Sequence, residues 1–433
     1  MTSPRNMQDI LAQRRQATAN AWDLDEAIVL VVAGEPIPKP GRGDQTYPFR
    51  AHTDYFYLAD RERPGSVLAF DPTDGWVDFV PPISEQERIW CGGGVDDGVP
   101  VDGLAEWLEA RRGRPLALLG AGVPRLDDGI ELPVVDDTLS EQLHVALAQV
   151  RRFKDPVELD RMRRAVRSTA VAFDALPRLI RPGISERQLQ IELEAELLHA
   201  GGDHLAYDTI VGGGPNGAVL HFSPTDRLLR DGELVLIDAG CEYRGYAADV
   251  TRTFPVNGRP TAQQADLYAV VLAAQRTAIE WCTAGREFSE VHLATFPVLF
   301  QGLIDLGYLR GRVDALIEQD IQSLFCPHGL GHLLGLGVRD VAGFLPGRER
   351  SEEPPLKFLR IDLPLQPSYV VTIEPGLYFI PALLQDPERR QQFRDAVVWD
   401  RVDTLMGFGG IRIEDDVLIT DTGPEVLTAV IDK

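Results

Sequence analysis

Four acidic residues and a pair of histidines in this chain stand in settings where surface residues are seldom found. Asp238 and Asp249 belong to Leu234-Val-Leu-Ile-Asp-Ala-Gly-Cys-Glu-Tyr-Arg-Gly-Tyr-Ala-Ala-Asp-Val-Thr-Arg-Thr-Phe254. That stretch reads as two apolar strands joined by a hairpin turn. With the turn at Tyr243-Arg244 and Gly245 supplying loose backbone, Asp238 and Asp249 are expected directly opposite one another, their Cβ atoms roughly 4.5–5.5 Å apart. Carboxylates held that close repel, so a shared proton, a basic partner or a metal must compensate them. Glu374 ends the run Val370-Val-Thr-Ile-Glu374 just before Pro-Gly, and Glu414 closes Gly410-Ile-Arg-Ile-Glu414. Strand ends are common places for site residues.

The histidines sit in Cys326-Pro-His-Gly-Leu-Gly-His-Leu-Leu-Gly-Leu-Gly337, with His328 and His332 four apart. On a helix they would share a face. Gly329 and Gly331 disfavour a helix, and no Glu follows the first histidine, so an HExxH-type zinc motif is excluded and a glycine-rich loop is expected. One histidine with four carboxylates is a hard, oxygen-rich donor set whose negative charge two divalent cations would neutralise. Mn²⁺, Fe²⁺ or Co²⁺ suits it better than a structural zinc. Two metals roughly 3.5–4 Å apart can hold a bridging hydroxide and polarise a carbonyl, which is hydrolytic chemistry. Taken singly, each acid is more often a surface residue or strand-end cap, and a loop histidine more often structural. Their joint occurrence carries the metal reading.

Two regions must position these residues. Residues 1–152 alternate strands (Ala27–Ala33, Ser66–Phe70, Trp76–Val80, Pro115–Leu119) with helices (Val101–Ala110, Leu139–Val150), which predicts an α/β domain with a partly parallel sheet. A Gly/Pro-rich loop, Gly34–Gly43, follows the first strand. Residues 153–433 change pattern. Asp155-Pro156 opens a long helix towards Leu179, Ser185 with Gln188 and Thr261 with Gln264 form capping boxes, and Ser289 is expected to cap a helix reaching about Leu306. Strands fit Thr209–Val211, Leu234–Asp238, Ala247–Phe254, Val370–Glu374 and Ile411–Val417, an α+β mixture.

Composition bounds the partners. The formal net charge is −23, with a hydrophobic fraction of 44%, ordinary for a soluble globular chain. Such acidity argues against nucleic acid or an anionic membrane as the main partner. The four cysteines, Cys91, Cys241, Cys282 and Cys326, form no C-x-x-C pair and read as buried apolar residues in a reducing compartment. The start of the chain has no apolar leader, and no apolar run is long enough to span a bilayer, so a cytoplasmic location is expected.

The matching stretches Leu236-Ile-Asp-Ala-Gly240, Tyr246-Ala-Ala-Asp-Val-Thr-Arg-Thr-Phe254, His328-Gly-Leu-Gly-His332, Thr372-Ile-Glu-Pro-Gly-Leu-Tyr378 and Gly410-Ile-Arg-Ile-Glu-Asp415 resemble the metallopeptidases of the pita-bread (creatinase/aminopeptidase) fold. That family includes aminopeptidase P, prolidase, methionine aminopeptidase and metal-free creatinase. The resemblance implies an α+β catalytic domain of that fold behind the α/β domain. It also implies two divalent metals, Mn²⁺ first with Zn²⁺, Co²⁺ or Fe²⁺ as alternatives, on Asp238, Asp249, His332, Glu374 and Glu414. Glu374 would be the general base, His221 the substrate-contacting histidine that assists proton traffic, and His328 a histidine lining the same pocket. Arg412 would orient ligand carboxylates.

Within the family, the first domain excludes minimal methionine aminopeptidases, and intact ligands argue against creatinase. Tyr47-Pro-Phe-Arg-Ala-His-Thr-Asp-Tyr-Phe-Tyr-Leu58 resembles the first-domain signature shared by aminopeptidase P and some bacterial prolidases. The segment from Tyr378 to Gly409 is similar to bacterial prolidases, so hydrolysis of Xaa-Pro dipeptides is expected, with aminopeptidase P action on longer Xaa-Pro peptides as the alternative and a silent peptide-binding homologue behind both. A homodimer is also implied. Two departures stand out. Arg339 occupies the place of a usual histidine, and Leu363 that of an arginine that binds the dipeptide's carboxylate. Arg339 is therefore the expected clamp, with Arg360 as its rival.

Overall fold

The computed structural model describes residues 4–41, 43–93, 98–124, 132–341 and 343–433. Residues 1–3 of the start read as leader-free, and Arg42 of the Gly/Pro-rich loop, lie outside the described residues. The chain divides into two compact units, Met1–Arg151 and Arg152–Lys433.

The first unit is built on a five-stranded sheet of β1 (Ile28–Val32), β2 (Val67–Asp71), β3 (Gly75–Val80), β4 (Val99–Pro100) and β5 (Leu116–Gly120), in the order β4-β3-β2-β1-β5. β1 runs parallel to β5 and antiparallel to β2. Every residue of β1 is buried, as its uninterrupted Ile-Val-Leu-Val-Val run requires. The helices are α1 (Pro4–Trp22), α2 (Thr53–Ala59), α3 (Glu85–Cys91), α4 (Leu104–Glu109) and α5 (Asp137–Arg152). α1 and α2 escape sequence periodicity. The inward stripe of α1 is Ile10, Arg14, Thr18 and Trp22, all buried, and half of it is polar. Arg14 donates there from Nη1 to the Tyr57 carbonyl at 3.0 Å. Cys241, Cys282 and Cys326 are buried, whereas Cys91 is exposed because α3 buries none of its residues.

In the second unit, α6 (Pro156–Leu179), α7 (Glu186–His199) and α8 (Ala262–Trp281) begin at the capping boxes of Asp155, Ser185 and Thr261. α9 (Phe288–Asp305) differs from expectation. It starts one residue before Ser289, with Glu287 at the cap and no side-chain cap bond, because Phe288 is fully buried and its anchoring sets the start. α8 and α9 pack through Leu267, Val271, Phe296, Leu299 and Phe300 against Leu377, Ile411 and Ile413. Each such side chain contributes roughly 1.5–3 kcal/mol by burial, and together they support the strands that carry the site.

Those strands form small sheets: β6 (His204–Leu205) with β9 (Cys241–Tyr243) and β10 (Tyr246–Ala247), β7 (Ile210–Gly213) with β8 (Leu234–Ala239) and β11 (Val250–Pro255), β12 (Val370–Ile373) with β15 (Asp415–Thr420) and β16 (Gly423–Val426), and β13 (Gly376–Tyr378) with β14 (Gly410–Arg412). The hairpin register differs from the expected one. Tyr243 pairs with Tyr246 and Asp238 with Thr251, so the turn is Arg244-Gly245. Both residues take positive φ, 52° and 78°, as a two-residue primed turn requires. Asp249 is thus diagonal to Asp238 rather than opposite it. A slip of two residues preserves the face. The spans expected as continuous strands, Ala247–Phe254 and Ile411–Val417, each break in the middle, at Ala248-Asp249 and at Ile413-Glu414.

Candidate metal centre

Each acidic candidate sits at the end or in a break of a strand. Asp238 is next to last in β8, Asp249 lies between β10 and β11, Glu374 directly follows β12, and Glu414 lies between β14 and β15. A strand holds its backbone rigid, and the break frees the carboxylate to turn inward. His332 lies in a loop, as its flanking glycines predict. That loop is pressed onto β12: Gly331 faces the Thr372 carbonyl so closely that a Cβ there would collide with it. Thr372 then donates its N–H to the His332 carbonyl at 2.9 Å and accepts the His332 N–H on Oγ1 at 3.1 Å.

Asp249, His332 and Glu414 are buried and each brings a ligand atom within 4.8 Å of the others'. His332 Nε2 is 3.3 Å from Asp249 Oδ2 and 3.9 Å from Glu374 Oε1. Its Nδ1 donates to the Leu333 carbonyl at 3.1 Å, which leaves Nε2 as the atom facing the carboxylates. Asp238 stands outside that trio, turned towards other partners. Arg412 Nη2 donates to its Oδ2 at 2.6 Å and the Tyr207 hydroxyl to its Oδ1 at 2.7 Å. Glu414 accepts from the Thr251 hydroxyl at 2.6 Å.

The electrostatics follow from burial and crowding. Burial, then the charges of Asp249, Glu374 and Asp238, push Glu414 well above the usual carboxylate range against the pull of Arg412. Burial raises Glu374 to about 7, with Asp249 adding to it and His332 and Arg412 opposing. Asp238 is raised by burial and by Asp249, against Arg412. Burial alone would lower His332, but its hydrogen bond to Asp249 and the charges of Asp249 and Glu374 raise it. A cluster that must hold protons to relieve its own repulsion is one that divalent cations would satisfy. Four carboxylates and one imidazole with Nε2 directed inward fit two hard or borderline cations.

His328 is bonded on both sides. Nδ1 donates to the Gly329 carbonyl at 2.8 Å and Nε2 accepts from the Tyr378 hydroxyl at 3.0 Å, while that hydroxyl accepts from Arg412 Nη1 at 2.9 Å. Burial and the Arg412 charge hold it down at about 3, so it is a fixed, neutral wall. His221 is exposed. Burial and the nearby charges of Arg360, Arg339 and Arg412 hold it below the ordinary histidine range. Arg339 is exposed and Arg360 half-buried. Arg360 is lowered by burial and feels the charges of Glu374, Arg339, Glu414 and Asp249. Leu363 is fully buried among apolar side chains, where no arginine could serve as a clamp.

Sequence reasoning missed Tyr207, Thr251 and Tyr378. All three are hydroxyls, which leave no charge pattern. Thr251 alone had a legible signal, two residues from Asp249 along one strand direction.

A model described as metallopeptidase family M24 matches residues 160–421, and one described as the aminopeptidase P N-terminal domain matches residues 11–98. The chain is 34% identical to the Xaa-Pro aminopeptidase of Escherichia coli, covering 97% of this chain and 94% of that protein. It is also 34% identical to the human Xaa-Pro dipeptidase, covering 88% and 82%. Among solved structures, aminopeptidase PepP of Pseudomonas aeruginosa superposes with a TM-score of 0.79 at 30% identity, over 98% of this chain and 96% of that one. Aminopeptidase P of E. coli with the inhibitor Pro-Leu gives 0.78 at 31%, with the same coverage. No helix among the described residues is long and apolar enough to cross a membrane. With an aminopeptidase P-type first domain before a pita-bread catalytic domain, the chain belongs to metallopeptidase family M24.

Proposed function

We propose that the protein is a dimetal Xaa-Pro peptidase whose preferred substrates are dipeptides ending in proline. The observation that carries the hydrolytic part is the buried cluster in which Asp249, His332 and Glu414 converge, with Glu374 beside His332 and Asp238 held by Arg412. Asp238, Asp249, His332, Glu374 and Glu414 would hold two divalent cations, Mn²⁺ first. When bound, these supply Lewis acidity and a water that is acidic enough to react near neutral pH.

The chain's own residues do the rest. Glu374, beside His332 and held ionised once the cations are bound, would accept the proton of the attacking water on its carboxylate. Arg412 fixes the direction of Asp238 and, through Tyr378, the ring of His328. His221, neutral and solvent-facing, is available to hydrogen-bond the substrate and to pass a proton towards the leaving nitrogen.

The dipeptide preference is supported by two cations beside the cluster. Among the described residues neither Arg339 nor Arg360 has a hydrogen bond or ion pair, and both act on His221. A free C-terminal carboxylate would neutralise them, and a guanidinium can hold it by a bidentate pair. Arg339 is the proposed clamp. Arg360, more buried and acted on by the charges of Glu374, Glu414 and Asp249, shares its claim. The second reading, an aminopeptidase P acting on longer Xaa-Pro chains, is favoured by the near-complete coverage of the E. coli aminopeptidase.

Mn²⁺-loaded protein assayed on Ala-Pro, Leu-Pro and a longer Xaa-Pro peptide separates the two. Faster cleavage of the dipeptides, with Arg339→Ala impairing dipeptides more than Xaa-Pro-Yaa tripeptides, supports the proposal. Preference for the longer peptide overturns it in favour of the aminopeptidase. Equal loss on both substrates, or none, removes Arg339 as the clamp. The reading also makes the protein a cytoplasmic homodimer, whose stoichiometry sedimentation would measure.

A further inference from the structure

Glu186 is the first residue of α7 and is fully buried, yet among the described residues it has no ion pair. Its charge is met by neutral donors. Oε1 accepts from Gly213 N at 2.9 Å and from Asn216 Nδ2 at 2.8 Å, and Oε2 accepts from Thr225 N at 3.2 Å and Thr225 Oγ1 at 2.7 Å. The N-terminal end of α7 adds favourable dipoles to that anion. Burying a carboxylate is costly unless its lone pairs are filled, and here all four bonds come from one loop.

The donors bracket that loop. Gly213 ends β7 and Asn216 lies in the 3₁₀ turn Gly214–Ala218, while Thr225 lies on the returning side. Backbone bonds reinforce the closure, from Arg187 N to the Thr225 carbonyl at 2.9 Å and from Glu186 N to the Arg227 carbonyl at 3.0 Å. Between the anchored ends, Val219 N bonds the Asn216 carbonyl at 3.0 Å, and His221 follows two residues later. The turn also rests on Gly409-Gly410, where a Cβ would collide with the Gly214 or Gly217 carbonyl. That contact ties the loop to β14, the strand of Arg412.

We propose that Glu186 is the positioning residue of the His221 loop: a buried carboxylate that gathers both ends of residues 213–225 and so fixes where His221 meets the substrate. Glu186 touches no reacting atom and acts only through the loop. The inference rests on the proposed role of His221 in peptide hydrolysis.

The test compares Glu186→Gln, which keeps the shape but aims an NH₂ at donors, with Thr225→Val, which removes the hydroxyl's bonds to Glu186 and from Arg227 N but keeps the Thr225 N–H bond to Glu186. Both are measured beside His221→Ala and the double variant Glu186→Gln/His221→Ala. Expected for Glu186→Gln is a fall of about tenfold or more in kcat/KM on Ala-Pro, because a slight misplacement of a substrate-contacting group is enough for that. Thr225→Val should fall in the same direction but less. Mn²⁺ affinity should stay within about twofold, and Glu186→Gln should add almost nothing once His221 is Ala, since coupled residues are non-additive. An equal loss in both backgrounds, a matching loss of Mn²⁺ affinity, or unchanged kcat/KM overturns the inference.

Hydrogen exchange tests it independently of activity. Faster exchange confined to residues 213–225 in Glu186→Gln supports the positioning role even if the wild type cleaves no Xaa-Pro peptide, an outcome that would fail the functional reading alone. Unchanged exchange there overturns it.

Discussion

Arg412 and Asp238 form a buried pair, with Nη2 2.6 Å from Oδ2. The same guanidinium also donates from Nε to the Thr251 hydroxyl at 3.1 Å and from Nη1 to Tyr378. One arginine therefore sets an acidic candidate ligand and the hydroxyl that seats another, Glu414. Removing it while Asp238 stays leaves a buried charge uncompensated. Arg412→Met is expected to lower the stability of metal-free protein by about 3–5 kcal/mol. Added Mn²⁺ should recover part of that loss, because cations supply the missing charge. Thermal unfolding of wild type and variant, with and without Mn²⁺, checks this; a deficit that metal leaves unchanged would count against the arrangement.

Metal affinity should depend on pH. Burial raises Glu374 to about 7, so at lower pH a cation must displace its proton. Binding then releases protons, and affinity falls as pH drops through that value. Calorimetry between about pH 6 and pH 8, in buffers of different ionisation enthalpy, should show proton release and tighter binding at the alkaline end. Binding equally tight throughout would contradict it.

Acid should weaken the fold through a histidine outside the candidate ligand set. His292 is buried, its Nε2 donates to the Pro355 carbonyl at 2.8 Å, and burial lowers it from 6.5 to about 4. The unfolded chain takes up this proton as pH falls below 6.5, whereas the native state does so only near 4. Stability therefore declines across that window and levels off beneath it, by about 3 kcal/mol for this group. His292→Gln, which cannot become charged, should flatten the decline in urea midpoints between those pH values. An unchanged slope would remove His292 as its source.

Lys154 and Asp340 form a second buried pair, at 3.0 Å with side chains 0% and 1% exposed. Asp340 N donates to the same Leu333 carbonyl that receives His332 Nδ1. Lys154→Met alone should cost about 3–5 kcal/mol, and Lys154→Met/Asp340→Leu clearly less, since breaking a buried pair is worse than replacing it. Urea unfolding of the three variants needed for a double-mutant cycle measures the difference. Additive losses would show that the two charges do not compensate one another.

Much of this site could be read from sequence because its signals are local. The capping boxes at Ser185 and Thr261 use residues three apart, and each stands as expected, while the helix start read at Asp155-Pro156 carries a further capping box with Glu158. Glycines around His332 announced a loop. The hairpin register did not follow from sequence, because Arg244 gives no sign that it will adopt positive φ. The two-residue slip nonetheless kept Asp238 and Asp249 on one face, since side chains alternate with period two. α1 stayed hidden because Arg14 and Thr18 interrupt its apolar stripe. Nothing local in the sequence marks Glu186, because only three-dimensional closure of the 213–225 loop brings its donors together. Of the 66 acidic residues, those in the central cluster are therefore the ones that composition describes least well.

The central claim is that Asp238, Asp249, His332, Glu374 and Glu414 act together on two cations to cleave the bond before proline. It is tested most directly by stripping the protein with a chelator and titrating Mn²⁺ back while following Ala-Pro hydrolysis. The account predicts no cleavage without metal and recovery that saturates at two equivalents per chain. Cleavage that survives chelation, or recovery complete at one equivalent, would contradict it.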